Sequence, residues 1–134
     1  MMPQPPAADP SLRAAMHGVR GLLLDLDGVL TLKGAEIPGA IEAMAALDAA
    51  GFPYLLVTNT SLVSRPRLAR WTTRLGFSVR PERFLTALSG TADLARRLYP
   101  DRPLFAICSE DARHELDGLR VLRPEEVDRD PGAV

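Results

Sequence analysis

An apolar run that stops at two acids constrains this chain more than any other feature. Arg20 to Leu32 reads Arg-Gly-Leu-Leu-Leu-Asp-Leu-Asp-Gly-Val-Leu-Thr-Leu. Leu22 to Leu24 have the character of a buried strand, and Asp25 and Asp27 follow with one residue between them. Carboxylates that close disfavour each other's ionised form unless a cation or hydrogen-bond donors compensate. The stretch predicts a strand over about residues 19–25 whose C-terminal end holds a ligand. Asp-x-Asp-Gly is also what a plain turn after a strand looks like, because Asp and Gly both favour turns. What the rest of the chain brings alongside decides between the two.

The pattern downstream alternates. A loop through Gly28, Gly34 and Glu36 leads to Pro38-Gly39, which opens a helix with Ile41, Met44 and Leu47 at helical spacing and Gly51 as its cap. Pro53 to Val57 is a second apolar run, followed by Thr58-Asn59-Thr60-Ser61. Ser64 caps a second helix through Leu68, Trp71 and Leu75, ended by Gly76. Phe84 to Thr86 is a short strand, and Leu88, Thr91, Leu94 and Leu98 mark a third helix ended by Pro100. Leu104 to Cys108 reads as another buried strand, with Ser109 capping a short helix behind it. Strand–helix alternation predicts a parallel sheet with helices on both faces, and ligands in such sheets bind beyond the C-terminal strand ends. Both polar clusters, at Asp25–Gly28 and Thr58–Ser61, fall at such ends.

Size and charge narrow the field. At 134 residues the chain suits one ordinary core. A net charge of −1 gives no electrostatic case for nucleic acid or an anionic membrane. No apolar run approaches the ~20 residues of a membrane span. Residues 1–17 read as a disordered lead-in, with a helical turn over Ser11 to His17 and without the basic start or apolar stretch of a secretory signal. A single cysteine, Cys108, excludes an internal disulfide and suits a reducing, cytoplasmic setting. Cys108 and Trp71 are expected in the core, and His17 and His114 at the surface. Arg65, Arg67, Arg70 and Arg74 are expected on a solvated helix face, with Arg65 close enough to the second polar cluster to recruit anions.

The two clusters suggest a division of labour. One carboxylate of an i, i+2 pair can attack an electrophile, and the other can give a proton to a leaving group and take one from water. A hard cation such as Mg2+ would join a carboxylate oxygen to a phosphate oxygen and relieve the repulsion. Gly28 lets backbone approach closely. The Thr58 hydroxyl, the Asn59 amide and nearby N–H groups are suitable donors to phosphate.

The order Asp25-Leu26-Asp27-Gly28-Val29-Leu30, then Ile37-Pro38-Gly39-Ala40, then Val57-Thr58-Asn59-Thr60-Ser61, resembles the haloacid dehalogenase-like phosphatases. It is most similar to the branch with a large α/β cap, which includes nucleotide, 4-nitrophenyl phosphate, phosphoglycolate and pyridoxal phosphate phosphatases, and to the phospholysine phosphohistidine inorganic pyrophosphate phosphatase group. Leu75-Gly76-Phe77, Phe84-Leu85-Thr86 and Glu115-Leu116-Asp117-Gly118 agree with it. The resemblance implies a three-layer, Rossmann-like α/β core, incomplete here, over 18–99, with the start of an α/β cap over 100–134. It implies Asp25 as a nucleophile forming a phospho-aspartate, and Asp27 as general acid/base. Thr58, Asn59 and Gly28 would hold phosphate, and Asp25 with Asp27 (through its backbone carbonyl) would hold Mg2+. The expected partners are a small phosphorylated substrate and, for an oligomer, a second copy, with no nucleic acid and no membrane.

The chain departs from that family's pattern in two places. The family's third motif is a lysine that neutralises the phosphate, and the only lysine here is Lys33, in the loop after the first strand. Its fourth motif is an acidic pair after a strand, and Glu125, Glu126, Asp128 and Asp130 follow none. The expectation is a truncated chain with weak or no phosphatase activity alone; the alternative is a non-catalytic phosphate- or partner-binding relative. A phospho-accepting receiver domain also ends a strand in an aspartate, but it spreads its acids over different strands and carries a later lysine.

Overall fold

The structure is a computed structural model, and it describes residues 17–126. The expected lead-in up to residue 16, and Asp128 and Asp130, lie outside the described residues. Three parallel strands form the main sheet: β1 (Leu22–Asp25) at one edge, β4 (Tyr54–Thr58) in the middle and β5 (Phe84–Thr86) at the other edge. The first strand starts three residues later than its sequence suggests. Between β1 and β4 the chain makes a small hairpin, β2 (Thr31–Leu32) and β3 (Ala35–Glu36), and then helix α1 (Ala40–Ala49). The sequence reads as open loop where the hairpin forms. Its two turn residues, Lys33 at φ 50° and Gly34 at φ 83°, both adopt the left-handed conformation that a tight two-residue hairpin turn requires.

Helices α2 (Arg65–Arg74) and α3 (Ala87–Leu98) begin where their caps place them. Ser64 Oγ accepts the Arg67 N–H at 3.4 Å, and Thr86 and Ser89 exchange side-chain bonds at 2.9 and 3.0 Å. Gly76 follows α2 at φ 101°, and a Cβ there would stand 2.9 Å from Ile41 Cδ1. It ends the helix and lets α1 and α2 lie side by side.

One face of the sheet carries the core. Leu22 and Leu24, Tyr54 and Leu56, and Phe84 pack with Met44 and Leu47 of α1, Leu68 and Ala69 of α2, and Leu75 just past its end. Leu56, at the centre, is 0% exposed. The other face alternates out of that core, as strand periodicity demands. There Leu23 is 71% and Leu85 38% exposed, while Leu55 and Val57 between them are half-buried. Helix α3 does not cover it: Leu88 and Ala92 pack instead with Ala112 and Leu116 in a second, smaller core. Parallel sheets are ordinarily covered on both faces. The α/β order is thus the expected one, and the described residues supply one of its two helix layers.

After α3 the expected strand over Leu104 to Cys108 shortens to β6 (Leu104–Phe105), which does not extend the main sheet. It pairs in parallel with β7 (Val121–Leu122) as a separate two-stranded sheet. Ile107 is 86% exposed, and Cys108 is half-buried against the second core. The segment behind Ser109 is a 3-10 helix, Asp111–Leu116, whose Ala112 N–H bonds Ser109 Oγ at 3.1 Å. Among the described residues no helix is long and apolar enough to cross a membrane.

Candidate active site

Parallel register brings the two polar clusters to the same end of the sheet. Asp25 pairs with Val57 and Thr58 with Thr86, and Leu26 N–H continues the ladder to Val57 O at 3.2 Å. The chain then turns sharply. Gly28 sits at φ 89°, a conformation other residues reach only with strain, and its N–H donates to Thr31 O at 2.6 Å. A Cβ at Gly28 would meet nothing within 4 Å. The glycine is needed for the turn, and its N–H is already used.

Thr31, fully buried, ties the acid loop to the hairpin. Its Oγ1 lies 3.1 Å from Leu26 O and 3.3 Å from Asp27 Oδ1, and so shares one proton between them. Asp25 Oδ1 accepts the Leu26 N–H at 2.8 Å. Both carboxylates are otherwise exposed at the strand end. Thr58 is 4% exposed, and its Oγ1 accepts the Thr60 N–H at 3.4 Å.

A cleft of about 360 Å3 opens here, lined on one side by Asp27, Thr58 and Thr60 and on the other by Arg67, Trp71 and Arg74 of α2. Asp27 and Thr58 therefore share a cavity, while Asp25 and Asn59 stand exposed beside it and do not line it. The three α2 residues follow i, i+4, i+7 spacing, which places them on one helix face. Their spacing was readable, but it also suits a solvated face, and only the packing of α2 turns that face to the acids. Trp71 serves twice, half-buried against the core and walling the cleft.

Arg65 does not behave as its sequence suggests. Its Nε bonds Glu115 Oε2 at 2.8 Å and its N–H bonds Glu115 Oε1 at 2.6 Å. The Arg65 side chain is thereby turned to Glu115 and does not line the cleft, where Arg67 stands instead. Beside it, Asp111 Oδ2 accepts the Ser64 N–H at 2.7 Å. That bond, with help from the Ser64 hydroxyl and the charges of Arg67 and His114, holds the Asp111 carboxyl below its ordinary range against the opposing effect of burial. His114 and His17 are at the surface. Tyr54, at the far end of β4, has its hydroxyl pushed up by burial and by its bond to Asp48 at 3.0 Å.

Neither the single lysine nor the C-terminal glutamates line the cleft. Lys33 occupies the hairpin turn, and Glu125 and Glu126 lie in a 3-10 turn, where Glu126 bonds Arg123 N–H at 2.9 Å. Among the described residues no three His, Cys, Asp or Glu side chains cluster as a metal site. Asp25 and Asp27 still fit a protein's share of a magnesium site, since Mg2+ takes one or two carboxylates, keeps waters and binds substrate phosphate.

Residues 22–121 match the model of the haloacid dehalogenase-like hydrolases. Human chronophin is 36% identical over 119 residues, a match covering 83% of this chain and 40% of chronophin. Among solved structures, a p-nitrophenyl phosphatase from Archaeoglobus fulgidus superimposes with a TM-score of 0.70 at 28% identity, covering 80% of this chain and 42% of that one. A glycerol phosphate phosphatase from Mycobacterium tuberculosis, in complex with calcium, gives 0.71 at 28%, covering 85% and 34%. The chain thus spans about two fifths of the length of the relatives it matches. It belongs to the haloacid dehalogenase-like hydrolase family.

Proposed function

We propose that this chain carries the nucleophile and phosphate-holding half of a phosphate monoesterase site. In this reading an Asp25 carboxylate oxygen attacks phosphorus while the bond to the leaving-group oxygen breaks, and Asp27 gives that oxygen its proton. Water then attacks the phospho-aspartate, Asp27 takes its proton, and phosphate leaves with Asp25 restored. Thr58, Asn59 and the turn at Gly28 surround the phosphate, and Arg67 offsets its charge. Asp25 and the Asp27 backbone carbonyl would hold Mg2+, which would supply positive charge at the phosphate oxygens. The observation that carries the reading is the register that sets Asp25, Asp27 and Thr58 at one strand end beside a cleft lined with arginine.

Residues 18–99 are read as the core and residues from 100 onward as the beginning of a cap, supported by the separate sheet of β6 and β7. The substrate is a small phosphorylated molecule, and the setting is cytoplasmic. With no lysine and no further acid beside the two aspartates among the described residues, transition-state charge is under-compensated. The chain alone is expected to turn over 4-nitrophenyl phosphate with Mg2+ weakly or not at all. Robust turnover by the purified chain, abolished by Asp25→Asn, would overturn the half-site reading and leave the nucleophile assignment standing. The same lack of a lysine in the cleft favours a second reading, a relative that binds phosphate or a partner without catalysis. Phosphate binding with no adduct on Asp25 would support it.

A further inference from the structure

The loop that presents Thr58 and Thr60 is held from outside. Ser109 Oγ donates to Leu62 O at 2.7 Å, Asp111 accepts from Ser64 N–H, and Glu115 takes both the N–H and the guanidinium of Arg65. Glu115 is 4% exposed, and the Arg65 side chain is 40% exposed. The far side of Glu115 is anchored as well: Arg96 Nη2 of α3 donates to the carbonyls of Glu115 and Asp117, both at 2.9 Å.

A buried ion pair is a poor device for stability, because desolvation offsets most of its attraction, but a two-point carboxylate grip fixes orientation well. This one grips the first residue of α2, seven positions after Thr58. It also takes the start of α2 away from phosphate. A helix N-terminus next to such a site would draw the anion to its free N–H groups. Here the N–H groups of Ser64 and Arg65 are given to carboxylates, which leaves the anion to the threonine loop and Arg67. We infer that Glu115 and Arg65 are a positioning pair, setting the residue 58–64 loop against Asp25 and Asp27 so that phosphate is gripped there. The inference rests on the phosphate monoesterase reading.

The test compares the unaltered chain with Arg65→Ala, Glu115→Gln and the double variant, each with magnesium and beryllium fluoride. Fluorine NMR reads the affinity for fluoroberyllate, amide exchange reads residues 58–64, and thermal melting reads stability. Each single variant is expected to weaken fluoroberyllate binding about tenfold and to speed exchange in 58–64, and the double variant is expected to be no worse than either single one. Because the Arg65 side chain is partly exposed, Arg65→Ala carries the test should Glu115→Gln fail to fold. Lower melting with unchanged affinity would overturn the proposal and leave the pair a purely structural link. No adduct in the unaltered chain would bring down the monoesterase reading itself, and it would be seen without any variant.

Discussion

Asp25 and Asp27 are two residues apart in sequence and in different surroundings. Asp27 lines the cleft and accepts from the buried Thr31 hydroxyl, whereas Asp25 accepts the Leu26 N–H and stands outside the cleft at the strand end. That asymmetry suits a nucleophile beside an acid/base better than two equivalent ligands. Other single residues are explained by packing. Leu56→Ala should lower unfolding stability by about 2–5 kcal/mol, the usual cost of emptying a filled core site, measured by urea denaturation. Leu23→Lys, on the uncovered face of the same sheet, should change it by less than about 0.5 kcal/mol. Gly76→Ala should cost about 1–2 kcal/mol for the left-handed backbone alone, with added crowding from Ile41. An equal effect of Leu56→Ala and Leu23→Lys would mean that the sheet is not covered on one side only.

At the scale of elements, α2 organises the site: its cap fixes where it starts, its exposed face lines the cleft, and its first residues are clasped by the 3-10 segment 111–116. The Asp111–Ser64 bond makes the clasp sensitive to acid. Because the folded Asp111 pKa is lowered, its contribution is complete above the ordinary value near 3.8 and is lost as pH falls below it. Protection of the Ser64 amide, relative to its intrinsic exchange, should therefore fall as pH drops below that value towards the lowered pKa of Asp111, and Asp111→Asn should flatten the response. The strands, helices and caps were legible because Leu, Val, Gly, Pro and Ser occupy positions where period and turn chemistry agree, as at Ser64 and Gly51. The hairpin at Lys33-Gly34 was hidden because its strands are two residues each, too short for a period. The clasp was hidden because its partners are about 50 residues apart, and an acid such as Glu115 looks like any solvated helix charge until packing buries it.

At the scale of the whole molecule, the described residues pack on one side of the sheet and leave the other open. Leu23, Leu55, Val57 and Leu85 form an apolar face, and among the described residues β1 pairs only with β4. A parallel sheet left this way seeks cover. The purified chain should self-associate as its concentration rises, and Leu23→Lys should suppress this in analytical ultracentrifugation; a monomer at every concentration would argue against the apolar face as the cause. The relatives it matches are more than twice as long. That Lys33 is the single lysine is plain in the sequence, whereas the bare face needed the structure, since alternation in β1 does not say which side is covered. The central claim is that Asp25 is the reactive atom of this half-site. Fluorine NMR of the chain with magnesium and beryllium fluoride tests it most directly: a bound resonance is predicted for the unaltered chain and none for Asp25→Asn. No bound resonance in the unaltered chain, or an unchanged one in Asp25→Asn, would contradict it.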